Sequence, residues 1–318
     1  MEFFKTPNFD YIKYHKLFFA LSGLLAAATV VGVVVRGPSL MSIDFTGGTL
    51  VQGYFQKAGE PAAGAGGQNV EISLDRVRAA LATAGLAGAE LQSVPNHNAI
   101  ILRFKSGAGE AKTELAGKVT EAFARAFEGF SFTTERVEFV GPVVGKQMVS
   151  KAILAVFFSM LGIVVYVAFR FRNWIWGVSG VFALVHDIFL ALGFMALTGR
   201  EISITVVAAL LTLAGYSIND TIVIFDRIRE NIRLRGRHSK EPLDVLINRS
   251  CNETLSRTII TSLTVFIVLL SLLFLGGEVI RDFSLALTFG VIVGSYSTIF
   301  IATPMVYLWQ RKRNKPLH

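Results

Sequence analysis

Six stretches of this chain are long, apolar and almost free of charge, and they leave it few folds to choose from. They run over about 17–35, 148–168, 175–198, 203–225, 258–275 and 284–308. A helix needs about twenty mostly apolar residues to cross the hydrocarbon core of a bilayer, and each stretch is close to that length. Lipid offers the backbone no hydrogen-bond partner, so a spanning segment must satisfy its own amides and carbonyls as a helix. The expectation is an α-helical polytopic membrane protein with six transmembrane helices. Composition agrees: 52% of the 318 residues are hydrophobic and 17% charged, against about 25% charged in ordinary soluble domains.

The net charge of +8 orients these helices. Residues 36–146 hold eleven basic and eleven acidic side chains, so the excess lies elsewhere, beside the apolar runs. It sits at Lys5, Lys13 and Lys16, at Arg170 and Arg172, in the loop 226–257, and at Arg311, Lys312, Arg313 and Lys315. By the positive-inside rule, residues 1–16, the loop 226–257 and the tail 309–318 are cytoplasmic, and the loop 36–147 is outside. Trp174, Trp176, Tyr307 and Trp309 then fall at cytoplasmic interfaces, where amphipathic rings collect. A nucleic-acid site would need a contiguous basic face, so nucleic acid is excluded as a partner and membrane lipid is the expected surroundings. Cys251 is the single cysteine, which rules out an internal disulfide. The first run lacks a small-x-small cleavage pattern before Asp44 and reads as an uncleaved span.

The loop 36–147 reads as a small α+β domain. Ser42–Phe55 has strand character, with Gly53 as a weak point, and 59–68 is a Gly/Ala/Pro-rich loop. Leu74–Ala84 has helical spacing with Ser73 as its N-cap. Ala89–Val94 and Ala99–Phe104 are strands about a Pro-Asn-His-Asn turn. Glu110–Phe127 is a second helix, and Phe132–Val140 alternates as a last strand. The order β-α-β-β-α-β predicts a ferredoxin-like sandwich.

Polar residues inside the apolar runs carry the functional information. A charged side chain at mid-span costs about 2.5–3.5 kcal/mol even on the lenient insertion scale, so it faces a bundle interior or an aqueous cavity. Asp187, with His186 beside it, lies mid-way along the third run, and Asp220, with Asn219 beside it, lies in the fourth. Two readings of Asp220 stand on the residues alone: a carboxylate that takes up and releases a proton as helices move, or an interfacial cap or helix–helix hydrogen bond. Tyr216 and Ser217 share its helical face and are its expected hydrogen-bond partners. Asp187 has the same two readings, proton handling or an interhelical contact. Adjacent helix positions point to different faces, so His186 and Asp187 are not expected to line one seam. Arg257 either pairs with Asp220 or is one more positive-inside residue. Gly290 and Gly294 have the spacing of close helix packing.

Two glycine motifs flank the external loop: Asp44-Phe45-Thr-Gly47-Gly48 at its start and Gly141-Pro142-Val-Val-Gly145 at its end. The first lacks the Gly-Lys-Ser/Thr ending of a phosphate loop, and both read as links between domain and membrane. The five histidines are scattered and no metal cluster or nucleophile–base pair stands out. Asp187 and Asp220 lack the Gly-x-Gly-Asp context of an intramembrane aspartyl protease, so no enzyme is expected.

Taken together, Asp44-Phe-Thr-Gly-Gly, Gly141-Pro-Val-Val-Gly, Val185-His-Asp, Ala214-Gly-Tyr-Ser-Ile-Asn-Asp-Thr-Ile-Val-Ile-Phe-Asp-Arg-Ile-Arg-Glu and Asn248-Arg-Ser-Cys-Asn-Glu-Thr-Leu-Ser-Arg-Thr resemble the SecF branch of the SecD/SecF family, within the resistance–nodulation–division superfamily. The resemblance covers nearly the whole chain. It implies half of a twelve-helix bundle completed by SecD, with YajC, the SecYEG channel and a translocating unfolded polypeptide as further partners. It also implies a cell inner membrane location and use of the proton-motive force in late steps of protein export, with protons as coupling ion and no other cofactor. By motif position Asp220 is then the proton-responsive carboxylate, Arg257 its electrostatic partner, and Asn219 and Asp187 accessory. Asp44, Phe45, Gly47, Gly48, Gly141, Pro142 and Gly145 would couple the bundle to the external domain. The alternatives are half of a small-molecule exporter of the same superfamily, or a passive scaffold for SecD.

Overall fold

A computed structural model describes residues 7–57, 72–94, 99–104, 112–171, 173–235 and 241–313. In chain order the elements are α1 (His15–Arg36), a 3-10 turn (Gly37–Leu40), α2 (Ile43–Thr46), β1 (Gly48–Lys57), α3 (Leu74–Thr83), β2 (Ala89–Val94), β3 (Ala99–Phe104), α4 (Lys112–Ala126), β4 (Phe130–Val140), α5 (Pro142–Arg170), α6 (Trp174–Leu197), α7 (Ile204–Arg235), α8 (Leu243–Leu275), α9 (Glu278–Ser297), a π-helical turn (Thr298–Ala302) and α10 (Thr303–Arg313). They form two compact units: Met41–Lys151, and the residues on either side of it.

Among the described residues six helices are long and apolar enough to cross a membrane, the last being α9 and α10 read through their π-helical turn; they belong to the larger unit, except that α5 begins within Met41–Lys151. Short polar sequences end and restart these helices. Asn173 caps α6 by accepting from the amide of Ile175 at 3.1 Å, which meets one of the amides every helix start leaves bare. At its other end Gly199 takes a φ of +75°. The amides of Gly199 and Arg200 bond back to Ala196 and Met195 at 3.3 and 2.9 Å, a Schellman stop that needs the left-handed glycine. Pro304 explains the π-helical turn: it has no amide to give to the carbonyl four residues back and its ring crowds that carbonyl. The amide of Thr303 bonds Thr298 instead.

Most of the described part of 226–257 is helix, because α7 continues to Arg235 and α8 starts at Leu243. The polar first turns of α8 hold the residues ahead of α1. Asn252 accepts from the amide of Phe9 at 3.1 Å and from the hydroxyl of Tyr11 at 3.1 Å, and its amide donates to the Phe9 carbonyl at 2.9 Å. Asn248 accepts from the amide of Ile12 at 3.1 Å.

The smaller unit has a four-stranded sheet of order β2-β3-β1-β4 with every pairing antiparallel. That is the ferredoxin-like order 4-1-3-2 the element sequence predicts. Its core gathers Val51, Val77, Leu81, Leu102 and Val119 around Phe55, Phe123, Phe127 and Phe132. Each ring of that aromatic set lies 4.9–5.9 Å from the ring centroids it touches. Gly53 marks a bulge between β1 and β4, and a Cβ there would strike the carbonyl of Thr133 and come within 2.5 Å of Phe132 Cζ.

Two sequence expectations change here. The first strand begins at Gly48 rather than Ser42, since 43–46 forms one helical turn whose start Ser42 caps by accepting from Asp44 at 3.2 Å. Ser73 occupies the N-cap position of α3 without a side-chain cap bond. The 59–68 loop, the Pro-Asn-His-Asn turn and residues 110–111 of the expected second helix lie outside the described residues.

Candidate functional site

Within the larger unit α9 packs against α6, α7 and α8, and its small residues set how closely. A Cβ on Gly290 would lie 2.5 Å from Leu213 of α7, so the Gly290/Gly294 spacing seats α9 against α7. A Cβ on Gly294 would lie 3.5 Å from a carboxylate oxygen of Asp187. That is ordinary van der Waals contact, so Gly294 lies directly against the carboxylate.

Asp187 is 0% exposed, and its polar needs are met from three helices. Ser217 of α7 and Ser297 of α9 both donate to Oδ2, at 2.6 and 2.8 Å. His186 brings Nδ1 to Oδ1 at 2.9 Å. This corrects the expectation that His186 and Asp187 cannot share a seam: the imidazole is long enough to fold back over its neighbour. His186 Nε2 is buried with no hydrogen-bond partner among the described residues, and its ring stands edge-on to Tyr296 at 6.1 Å. The hydroxyls continue as a ladder, with Thr221 and Thr298 in contact at 3.1 Å.

Asp220 lies on α7 toward α8 and is treated differently. Thr258 donates to its Oδ1 at 2.8 Å, while Oδ2 is buried with no partner among the described residues. Tyr216 and Ser217 do not reach it, against the expectation from helical spacing. Tyr216 donates to Ser262 at 2.9 Å, Ser262 meets Ser295 at 2.8 Å, and Ser217 serves Asp187. Each hydroxyl goes to a neighbouring helix, where interhelical packing supplies a partner. Arg257 is exposed and interacts with the Asp220 charge; no ion pair within bonding distance joins them among the described residues. Asn219 is exposed beside it.

In the smaller unit the two glycine motifs meet backbone to backbone. A Cβ on Gly145 would lie 3.1 Å from the Gly47 amide and 3.2 Å from the Phe45 carbonyl. Gly47 has a φ of +72° and its own Cβ would lie 3.1 Å from Pro142 Cα. Gly48 follows with a φ of +133° and opens β1 against β4 at Val140, the residue before Gly141. Pro142 starts α5, a position where a missing amide costs nothing. Asp44 lies in the first turn of α2. Sequence reasoning missed Ser297, Thr258 and Ser262; the signal was the string Ser295, Ser297, Thr298 inside an apolar run.

The fold and its interior carboxylates define a polytopic membrane protein with a ferredoxin-like domain between its first two spans. The chain belongs to the SecD/SecF family of protein export membrane proteins, whose C-terminal profile matches residues 119–312. It is 42% identical to protein translocase subunit SecF of Endomicrobium trichonymphae, over 100% of this chain and 96% of that one. With the same subunit of Calditerrivibrio nitroreducens the identity is 39%, over 97% and 96%. The crystal structure of SecDF from Thermus thermophilus, a translocon-associated membrane protein, aligns with a TM-score of 0.78 at 38% identity, over 96% of this chain and 39% of that one. A super-membrane-facing form of SecDF aligns at 0.66 and 36% identity, over 99% and 40%. The chain thus spans about two fifths of the solved SecDF polypeptides. The family places it among the accessory subunits of the protein-export machinery.

Proposed function

We propose that this chain works beside SecD in the cell inner membrane, with both termini in the cytoplasm, and couples inward proton movement to late steps of protein export. In this reading SecD supplies the other half of the bundle, the SecYEG channel and YajC are neighbours, and the cargo is an unfolded polypeptide. The chain makes and breaks no covalent bond, and protons are its only cofactor. The half-satisfied Asp220 carboxylate supports this function best. A buried acceptor without a donor costs about 1–3 kcal/mol, more when charged, and a proton on Oδ2 relieves both the charge and the missing bond. Any motion that brings Oδ2 a donor reverses the preference, so proton occupancy and helix arrangement are linked. Arg257 and Asn219, exposed beside it, would face SecD and bias that equilibrium. The paired motifs at 44–48 and 141–145 would carry the change into the α+β domain.

Asp220→Asn is the test, in inverted vesicles carrying the SecD complex. The expected result is normal co-purification with SecD and loss of the proton-motive stimulation of precursor translocation. Full stimulation in the variant would leave the chain a passive scaffold. Efflux of small molecules that depends on Asp220 would instead favour the exporter alternative.

A further inference from the structure

The string Asn248-Arg-Ser-Cys-Asn-Glu-Thr on α8 has no part in the function proposed above, yet its side chains reach two other parts of the bundle. Asn248 and Asn252 lie one turn apart and hold the residues ahead of α1. Asn252 accepts from the Phe9 amide and the Tyr11 hydroxyl, both at 3.1 Å, and its amide donates to the Phe9 carbonyl at 2.9 Å. Asn248 accepts from the Ile12 amide at 3.1 Å and donates to Asp10 at 2.7 Å. Tyr11 and Ile12 are buried, and the Tyr11 ring stands edge-on to Phe300 at 5.5 Å. Residues 9–12 thus form a strap that ties the start of α1 to α8.

A second set of bonds leaves the same turns of α8 toward α7. Ser250 accepts from Asn231 at 2.9 Å, and Glu253 accepts from Asn231 and from Arg227 Nε, both at 2.7 Å. Successive helix residues are about 100° apart around the axis. Asn248 and Asn252 therefore lie on average about 100° to one side of Thr258, and Ser250 and Glu253 about 110° to the other. Bonds that flank a face on both sides fix the rotation of the helix that carries it. Beyond Thr258 the only buried residue of α8 is Leu269, so the membrane half of the helix does little to hold that setting.

Rotation matters because of what Thr258 does. It is buried and donates to Asp220 Oδ1 at 2.8 Å. Side chains end about 5 Å from the helix axis, so turning α8 by about 20° carries the Thr258 hydroxyl about 1.7 Å. That is enough to part the 2.8 Å bond. Arg257 and Cys251 of α8 and Tyr216 of α7 act electrostatically on Asp220, and none of them belongs to the strap or to the asparagines that hold it.

We propose that the strap at residues 9–12 is a positioning element for Asp220, and that Asn248 and Asn252 are its positioning residues. With the bonds to α7 it sets the rotation of α8 that presents Thr258 to Oδ1. This role rests on Asp220 being the proton-responsive carboxylate proposed above.

The test uses the full chain with SecD in nanodiscs, with the Asp220 carboxyl followed against pH by infrared difference spectroscopy. Its band is the one missing from Asp220→Asn. Thr258→Val gives the reference displacement of the titration midpoint, about half a pH unit, the equivalent of about 0.7 kcal/mol, the usual size of one hydrogen bond in a membrane bundle. Asn252→Ala is expected to move the midpoint in the same sense and by a similar amount, and to add nothing in a Thr258→Val background. A loss of stability alone leaves the midpoint where it is. Tyr11→Phe keeps the ring and removes one of the two donors to Asn252 Oδ1, so it is the milder variant, expected to give roughly half that displacement. An unmoved midpoint overturns the proposal, read in Asn252→Ala if it co-purifies with SecD and in Tyr11→Phe if it does not. So does a full further displacement by Asn252→Ala in the Thr258→Val background, which would place the effect of the strap elsewhere. Export that keeps its proton stimulation in Asp220→Asn would sink the coupling role of Asp220 and leave this titration readable.

Discussion

Ser217 and Ser297 donate to the same oxygen of Asp187, and that shared acceptor predicts strong non-additivity between them. Either serine alone can be removed while Oδ2 keeps one donor, from 2.8 Å in Ser217→Ala or from 2.6 Å in Ser297→Ala. Hydrogen bonds within membrane bundles average about 0.6 kcal/mol and reach about 1.7, so each single change is expected to cost about 1 kcal/mol. The double change leaves a fully buried carboxylate oxygen with no donor, and stranding a buried acceptor costs about 1–3 kcal/mol, more when it is charged. The pair is therefore expected to cost about 3–4 kcal/mol, some 1–2 beyond the sum of the singles. In an Asp187→Leu background the acceptor is gone and the coupling should vanish. The assay is a double-mutant cycle on the chain in bicelles, with unfolding followed by steric trapping. Coupling below about 0.5 kcal/mol, the range in which independent sites add, would refute the shared-oxygen geometry.

Thr258→Val removes the donor to Asp220 at 2.8 Å; translocation in inverted vesicles should show a displaced dependence on the proton gradient, with SecD co-purification intact. Gly53→Ala overpacks the β1–β4 bulge against Phe132, 2.5 Å from the new Cβ, and should cost about 1–3 kcal/mol, read as faster proteolysis of the α+β domain. Burial pushes the Tyr11 phenol up to about 12 from an ordinary value of 10.0. The folded protein keeps that proton where the unfolded chain has lost it, so stability contributed by Tyr11 is whole below pH 10 and falls as pH rises toward 12. Tyr11→Phe should flatten that segment of the stability–pH curve, measured by thermal unfolding in detergent.

The spans were legible because lipid imposes one rule on every residue of a run, and a rule repeated twenty times survives any local exception. The ferredoxin-like order was legible for a related reason: hydrophobic periodicity changes between strands and helices, and the strand order follows from the count. The site was legible only in its costliest members. A carboxylate in an apolar run announces itself, whereas Ser297 and Thr258 are ordinary inside helices, and their partners depend on which helices become neighbours. Tyr216 shows the limit most clearly. Its spacing to Asp220 is right for a bond along α7, yet its hydroxyl lies on Ser262 of α8, because a long ring leans outward to where packing supplies a partner.

The two interior carboxylates are built for opposite behaviour, and the difference follows from their donors. Asp187 is held by three helices, and any movement of α6, α7 or α9 breaks a bond to a fully buried group, so the cluster resists motion and ties those helices into one body. Asp220 has one donor, from α8 alone, and a second oxygen that is buried and waiting. A change in the spacing of α7 and α8 alters its surroundings without dismantling the rest. Proton coupling needs a carboxylate whose partners differ between two arrangements and a frame that stays the same in both. In the function proposed above Asp220, with its single donor from α8, would have the first property, and the Asp187 cluster would supply the second. On this reasoning Asp187→Asn should weaken assembly and proton response together, while Asp220→Asn should separate them.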